Sequence, residues 1–240
     1  WDKPVVVLVN EFSASASEIL AAALQDYNRA VIVGSPSTHG KGTVQRFLGL
    51  NQTMRNVNLP ELGSIKLTMQ KFYRINGGAT QLRGVVPDVI LPDNYMYIKT
   101  GEKEQDFALE WDQISSADYK ELNGKDLKSA VNASQKRVKG NEMFSKIESN
   151  ARKWEARNKK KTFTLNLDSY RDEQKAIKSD NEAYNKLFTP INNLNVSFLA
   201  EDQEIFESDT IKLASFKELQ KKIKKDHYVF EALQIAEDLN

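Results

Sequence analysis

The chain has 240 residues, and its 34 lysines and arginines nearly balance its 33 aspartates and glutamates, for a formal net charge of +1. This balance argues against a nucleic-acid or anionic-membrane surface, which needs a basic excess on one face. The absence of cysteine excludes disulfides, thiolate zinc sites and a cysteine nucleophile, and two histidines argue against a histidine-rich metal site. No apolar run is long enough to span a membrane, and the missing initiator Met predicts a piece of a longer protein.

The first third of the chain predicts a strand, a helix and a second strand. A continuous apolar run over residues 5–9 predicts a strand covered on both faces. Apolar side chains recur at helical spacing over residues 15–28, and residues 30–34 predict a second buried strand. Strand, helix and strand in this length predict a βαβ unit with parallel strands.

Three further strands follow. Residues 43–50 predict one strand, and the strict apolar and polar alternation over residues 64–73 predicts another. A turn at residues 76–78 separates them from a short, proline-limited strand within residues 84–93.

The rest of the chain is charged and predicted to be mainly helical. Apolar residues from 143 to 154 step along one helix face, residues 162–167 predict an isolated strand, and residues 168–188 and 210–239 again predict helices. We therefore expect an α/β unit with a βαβ element in a mixed sheet over residues 1–94, and an accessory, mainly α-helical region over residues 95–240.

Three serines compete for the role of nucleophile in the turn between the first strand and the helix. A serine hydroxyl needs a neighbouring base at neutral pH. Ser15 is central and has small neighbours that permit close substrate approach, whereas Ser13 or Ser17 suits a helix cap. The N–H of Ala16, at the positive end of the helix dipole, is the favoured oxyanion donor. The alternative is that all three serines only cap the helix.

Lys41 is the candidate base. A lysine amine acts as a base only in its neutral form, which burial favours. Gly40 and Gly42 allow the backbone to approach closely, and the apolar strand that follows is expected to bury the amine. A Gly-Lys-Gly turn is also consistent with an exposed loop lysine. A phosphate-binding loop is excluded, because the remaining glycine pattern and the following helix are missing.

His39 offers a rival base. Ser15 and His39, oriented by Asp26 or Asp88, would form a serine–histidine–aspartate triad. The lysine between two glycines, followed by Gln45, fits a dyad with an orienting amide better.

These residues resemble the carboxy-terminal processing peptidases, also called tail-specific proteases, a serine/lysine-dyad family. The resemblance covers most of residues 5 to 93, in the stretches FSASASEI (12–19), QDY (25–27), GKGTVQ (40–45), QKFYRINGGATQL (70–82) and GVVPD (84–88). The tail is similar to the C-terminal region of the long Gram-negative periplasmic members, at GEK (101–103) and WD (111–112). The sequence departs from the family pattern in two places: the turn before the lysine is expected to be one residue longer, and position 39 is a histidine.

The resemblance implies a partial crotonase-like protease core and a named set of roles. Ser15 is the nucleophile, Lys41 the general base, Gln45 a residue that holds the lysine, and the N–H of Ala16 an oxyanion donor. It implies no cofactor and no metal. The expected partners are protein substrates with apolar, unstructured C-terminal tails, together with upstream PDZ and N-terminal regions of the same protein, in the periplasm and in association with the inner membrane.

Two functions of different class follow for this chain. The leading hypothesis is a serine endopeptidase that cleaves through an acyl-enzyme formed by Ser15 and Lys41. Because the second oxyanion donor of such enzymes lies upstream, this piece is expected to be inactive alone. The alternative is a non-catalytic binding or scaffold module that acts through the helical tail.

Overall fold

The computed structural model describes residues 2–53, 60–122, 126–202 and 209–240. Its strands are β1 (Val6–Val9), β2 (Val31–Gly34), β3 (Thr43–Gly49), β4 (Ser64–Lys71) and β5 (Val89–Ile90). Its helices include α1 (Ala16–Asp26), α2 (Leu50–Thr53), α3 (Leu127–Gly140), α4 (Glu142–Lys159), α5 (Leu167–Asn185), α6 (Thr210–Ile223) and α7 (His227–Asp238). The α/β class and the helical C-terminal region predicted from the sequence are confirmed.

A three-stranded parallel sheet has the order β1-β2-β5. Val6 pairs with Val31 and Val33 pairs with Val89, and α1 connects β1 to β2, so the βαβ unit is confirmed. The central strand β2 is buried along its whole length, because it has a neighbour on each side and helices over it. The prediction that the first strand is covered on both faces is wrong, since Leu8 in β1 is 42% exposed.

The strands β3 and β4 form a separate two-stranded antiparallel ribbon. Their register runs from Thr43 opposite Lys71 to Gly49 opposite Ser64, with an irregularity between Val44 and Gln45. Most of the ribbon's side chains are exposed on both faces. The alternation of apolar residues therefore predicted the strand correctly, although neither face is buried among the described residues.

The parallel sheet carries a hydrophobic core on each face. On one face the small side chains of α1 pack against Ile32 and Val85. On the other, helices of the C-terminal region pack against the sheet, and the buried side chains of this cluster come from both regions: Val31, Val33, Val89, Leu91, Ala130, Phe144, Ile147, Ile235 and Leu239. The core is thus continuous across residue 94, and the division of the chain at that residue stays a prediction.

The prediction of an isolated strand over residues 162–167 is wrong. Residues 160–166 have no regular structure, and α5 already begins at Leu167. Leu165 is fully exposed and Phe163 is 69% exposed, and no described residue pairs with this segment. A strand needs a neighbour to bond to its backbone, and apolar residues alone do not provide one.

The predicted helix over residues 210–239 is divided into α6 and α7. Asp226 ends the continuous helix, because its side chain accepts hydrogen bonds from the N–H groups of Tyr228 and Val229 and caps α7.

Candidate active site

Ser15 stands at the N-cap of α1 in a strained backbone conformation. Its φ is 57° and its ψ is −111°, a combination that non-glycine residues rarely adopt and that costs about 1–3 kcal/mol. The expectation that Ser13 or Ser17 caps the helix is wrong. The Ser13 hydroxyl accepts a hydrogen bond from the N–H of Asn10 at 3.0 Å, so it stabilises the turn before the helix. Ser17 lies inside the first turn of α1 and is exposed.

Glu18 joins the Ser15 turn to the Lys41 turn. Its side chain is fully buried. Its Oε2 accepts the N–H of Ser15 at 2.7 Å and the N–H of Lys41 at 2.9 Å. Its Oε1 accepts the hydroxyl of Thr38 and the N–H of Gly40, both at 2.6 Å. The backbone nitrogens of Ser15 and Lys41 therefore bond to one oxygen atom, and four donors satisfy a buried carboxylate that would otherwise be costly.

The sequence-based reasoning missed this role of Glu18. The signal was present in the spacing of Ser15 and Glu18, which is that of a capping box, in which the acidic side chain reaches back to the N-cap N–H. The contacts with residues 38 to 41 cross 20 or more positions of the chain, and no local pattern predicts them.

The turn that carries Lys41 depends on its two glycines. Gly40 has a φ of +87°, and a Cβ on Gly42 would lie 2.6 Å from the backbone nitrogen of Gln81. The close backbone approach predicted for both glycines is confirmed. Lys41 itself is half-buried, and β3 is exposed beyond Thr43, so this strand does not bury the lysine as the sequence predicted.

The other predicted site residues, Gln45 and Ala16, lie close in sequence to Lys41 and Ser15. Gln45 is exposed on β3, opposite Thr68. Ala16 begins α1, where the first N–H groups have no acceptor within the helix. Among the hydrogen bonds of the described residues, none joins the Lys41 amine to the Ser15 hydroxyl or to Gln45. The catalytic roles of these residues stay predictions.

Neither aspartate proposed for the triad with Ser15 and His39 is bonded to the histidine among the described residues. Asp26 forms an ion pair with Arg74 at 2.6 Å, and Asp88 accepts the N–H of Ile32 at 2.7 Å. Both aspartates thereby lie beside the C-terminal end of α1, the end opposite to Ser15. Among the described residues, the carboxylate that lies beside the His39 imidazole is that of Glu102, with Nε2 and Oε2 3.6 Å apart.

The stretches that carry the family resemblance are bonded to one another in space. Arg74 donates to both carboxylate oxygens of Asp26 and, at 2.8 Å, to the side-chain oxygen of Gln25. The amide nitrogen of Gln25 in turn donates to Asp88 at 2.9 Å. This network fixes the C-terminal end of α1, so it supports the position of the same helix whose N-terminus holds Ser15.

A cleft of about 360 Å³ opens at the carboxyl ends of β1 and β2, and Ser13 lines it but Ser15 and Lys41 do not. Its lining is largely apolar, with Phe12, Tyr95 and Tyr228 among its residues. Burial raises the pKa of the Tyr228 hydroxyl, which donates to the carbonyl of Pro92. Ligands of open parallel sheets bind at this edge of the strands, so the cleft is suited to a substrate side chain.

No helix in the described ranges combines the length and hydropathy needed to cross a bilayer. Within the same ranges, no cluster of three or more histidines and carboxylates has the geometry of a metal site.

Comparison with known proteins identifies the class first. Residues 1–91 match the model of peptidase family S41, and residues 95–240 match the model of the C-terminal domain of tail specific protease. Because the second match covers more than half of the chain, the chain belongs to the tail-specific proteases and carries their C-terminal domain.

Two relatives agree with this assignment by sequence. The chain is 49% identical over 116 residues to a tail-specific protease of Haemophilus influenzae, which is 48% of this chain and 16% of the relative. It is 41% identical over 98 residues to a carboxy-terminal-processing protease of Bartonella bacilliformis, which is 39% of this chain and 20% of the relative. A solved photosystem II D1 C-terminal processing protease is 38% identical over 37% of this chain and 20% of its own, with a TM-score of 0.31. The matched part of the chain thus spans about a fifth or less of these relatives.

Proposed function

We propose that this chain supplies the nucleophile and the general base of a serine endopeptidase. One observation carries the proposal: a single buried carboxylate, Glu18, bonds to the backbone of both Ser15 and Lys41. Strained backbone persists where the surrounding structure imposes it, and it is frequent at nucleophiles placed on strand-to-helix turns. The strain at Ser15 is therefore a second support for its role.

The chemistry follows from these positions. The Ser15 hydroxyl attacks the scissile carbonyl carbon while the neutral Lys41 amine takes its proton. The Lys41 ammonium then gives the proton to the leaving amine, and an acyl-enzyme remains on Ser15. Water, deprotonated by Lys41, hydrolyses this ester and restores the serine. The N–H of Ala16 stabilises the oxyanion, and Gln45 holds the lysine once substrate is bound.

The substrate class and the setting belong to the same proposal. Substrates are proteins with apolar, unstructured C-terminal tails, which the cleft lined by Phe12 and Tyr95 is suited to accept. Upstream PDZ and N-terminal regions of the same protein deliver these tails and supply the second oxyanion donor. The enzyme works in the periplasm, in association with the inner membrane, and needs no cofactor. The 240-residue chain alone is inactive.

The test uses the complete protease that contains this chain and a peptide with an apolar C-terminus. Ser15→Ala removes the nucleophile, and turnover should fall to background. Lys41→Arg keeps the positive charge but cannot deprotonate, so the turnover number (kcat) should fall at least about 100-fold. Ser17→Ala is the matched control, because this exposed serine on α1 has no role in the chemistry. A fluorophosphonate probe should label the protease at Ser15 and fail to label Ser15→Ala.

Full turnover in a folded Ser15→Ala or Lys41→Arg variant would contradict the proposal. A large loss in His39→Ala with unchanged folding would instead favour histidine as the base. A complete protein that binds the peptide, resists labelling and does not cleave would support the scaffold alternative.

A further inference from the structure

The turn that carries Lys41 is held from a second side, opposite Glu18. Gln81 is fully buried, and its Oε1 accepts the N–H of Gly42 at 2.8 Å. The next residue, Leu82, donates its N–H to the carbonyl of Gly40, also at 2.8 Å. Residues 81 and 82 therefore bond to the two glycines that flank the lysine.

The C-terminal region fixes the orientation of the Gln81 amide. Its Nε2 donates to the carbonyl of Leu109 at 3.1 Å and lies 3.5 Å from Oε1 of the buried Glu102. Glu102 also donates its backbone N–H to the carbonyl of His39 at 2.9 Å. Because the amide nitrogen faces these acceptors, its oxygen is turned toward Gly42.

The contacts leave no space for adjustment. A Cβ on Gly42 would lie 2.6 Å from the backbone nitrogen of Gln81, and a Cβ on Gly101 would lie 2.6 Å from the carbonyl oxygen of His39. A displacement of residues 101–109 would therefore be transmitted directly to residues 39–42.

We propose that Gln81 is a positioning residue for Lys41 and that Glu102 and Leu109 of the C-terminal region orient it. The inference rests on the proposed role of Lys41 as the base. The peptide unit before Lys41 is fixed by the bond from its N–H to Glu18, and the peptide unit after it by the bond from the Gly42 N–H to Gln81. With both units fixed, the Cα–Cβ direction of the lysine is fixed as well. Without Gln81, the second unit can rotate, and the Cα–Cβ direction of Lys41 is no longer fixed.

The primary test is Gln81→Met in the complete protease. Methionine has a similar length but accepts no comparable hydrogen bond from Gly42. We expect kcat to fall about 10- to 100-fold, the range that follows from displacing a reacting group by about 1 Å. The Michaelis constant should stay within about twofold, because substrate binding does not depend on the lysine. The matched control is Gln174→Met, which makes the same change at an exposed position of α5, and its kcat should be unchanged.

A charge exchange tests the orientation by Glu102 separately from folding. Gln81→Glu keeps an acceptor for Gly42 but places a second carboxylate beside Glu102, so kcat should fall. Adding Glu102→Gln removes this repulsion and restores a donor between the two side chains. The double variant should recover at least about fivefold in kcat over Gln81→Glu, at an unchanged melting temperature. This pair of variants also tests the positioning role of Gln81 if Gln81→Met does not fold.

Several outcomes would overturn the inference. A folded Gln81→Met variant with the kcat of the wild type would do so, as would an equal loss in Gln174→Met. A folded double variant no more active than Gln81→Glu would do the same. If Lys41→Arg retains full turnover, the proposed function itself fails, and this result is independent of the Gln81 variants.

Discussion

Glu18 is completely buried, and its carboxylate accepts four hydrogen bonds from donors in two different turns. Three of these donors are backbone N–H groups, which only a proline substitution would remove. The Glu18 carboxylate and the Thr38 hydroxyl are the side chains of this network, and the carboxylate is the one that joins the Ser15 turn to the Lys41 turn.

We predict that Glu18→Gln destabilises the fold and lowers turnover together. Glutamine has nearly the same size, but its amide nitrogen would face N–H and hydroxyl donors in place of an accepting oxygen. The free energy of unfolding should fall by about 2–4 kcal/mol, since hydrogen bonds to charged groups are worth more than neutral ones. Urea unfolding gives the first quantity and peptide cleavage by the complete protease the second.

The control is Glu104→Gln, which makes the same chemical change at an exposed position and should alter stability by less than about 0.5 kcal/mol. Equal stabilities of Glu18→Gln and the wild type would contradict the role assigned to this carboxylate.

The sequence is sufficient to predict Ser15 and Lys41 as site residues, but it does not predict the contacts of Glu18 and Gln81. Ser15 and Lys41 were found because their small neighbours and their spacing are local properties. Glu18 and Gln81 act through contacts that cross 20 or more positions, and only the three-dimensional fold brings these positions together. The positive φ of Ser15 also has no sequence signal, because φ above zero is typical of glycine rather than serine.

At the scale of elements, the first turn of α7 contains a histidine whose surroundings disfavour a positive charge. His227 is the first residue of this helix, and burial lowers the pKa of its imidazole, more than the nearby Asp226 raises it. The positive end of the helix dipole acts in the same direction. The folded protein therefore favours the neutral ring.

We predict that the free energy of unfolding falls as the pH decreases below the ordinary histidine pKa. A lowered pKa in the folded state means that the unfolded chain binds more protons below the ordinary histidine pKa of about 6.5, so acid favours unfolding there. Above that pH both states are neutral and the full stability is present. Melting temperatures from pH 7.5 down to 5.5 should decrease in the wild type and decrease less in His227→Phe, which keeps the ring against Phe188. Parallel profiles of the two proteins would contradict this expectation.

Elements were predicted well where the chain has its own periodicity. The βαβ unit and the helices follow from spacing that neighbouring residues determine. The strand prediction for residues 162–167 was wrong because a strand needs a partner that is distant in sequence. The alternation in β4 predicted its backbone, but the exposure of both its faces depends on what packs against the ribbon, which alternation does not reveal.

At the scale of the whole molecule, one hydrophobic core joins the parallel sheet to the C-terminal helices. Ile147 and Phe144 of α4 and Ile235 of α7 are buried in the same cluster as Val33 and Val89. A composition change near residue 94 predicted two regions, but composition does not show whether regions share a core.

We predict that the described parts of the two regions unfold together. Ile147→Ala should reduce the free energy of unfolding by about 2–5 kcal/mol, the range for a large side chain removed from a core. Hydrogen exchange should then accelerate in β2 as much as in α4. The control Ile211→Ala, at a 78% exposed position, should change stability by less than about 0.5 kcal/mol. Accelerated exchange confined to α4 would show that the regions are independent.

The shared carboxylate also determines where the chain tolerates a change of length. Thr38, Gly40 and Lys41 all bond to Glu18, so the number of residues between 38 and 41 is fixed by the reach of one side chain. Residues 36 and 37 precede the first of these bonds, are partly exposed and lie outside this constraint. A residue added to this turn would therefore be accommodated before Thr38. An insertion before Thr38 lengthens a surface loop and leaves Lys41 in register, whereas an insertion between Thr38 and Lys41 would displace Lys41 from the Ser15 turn.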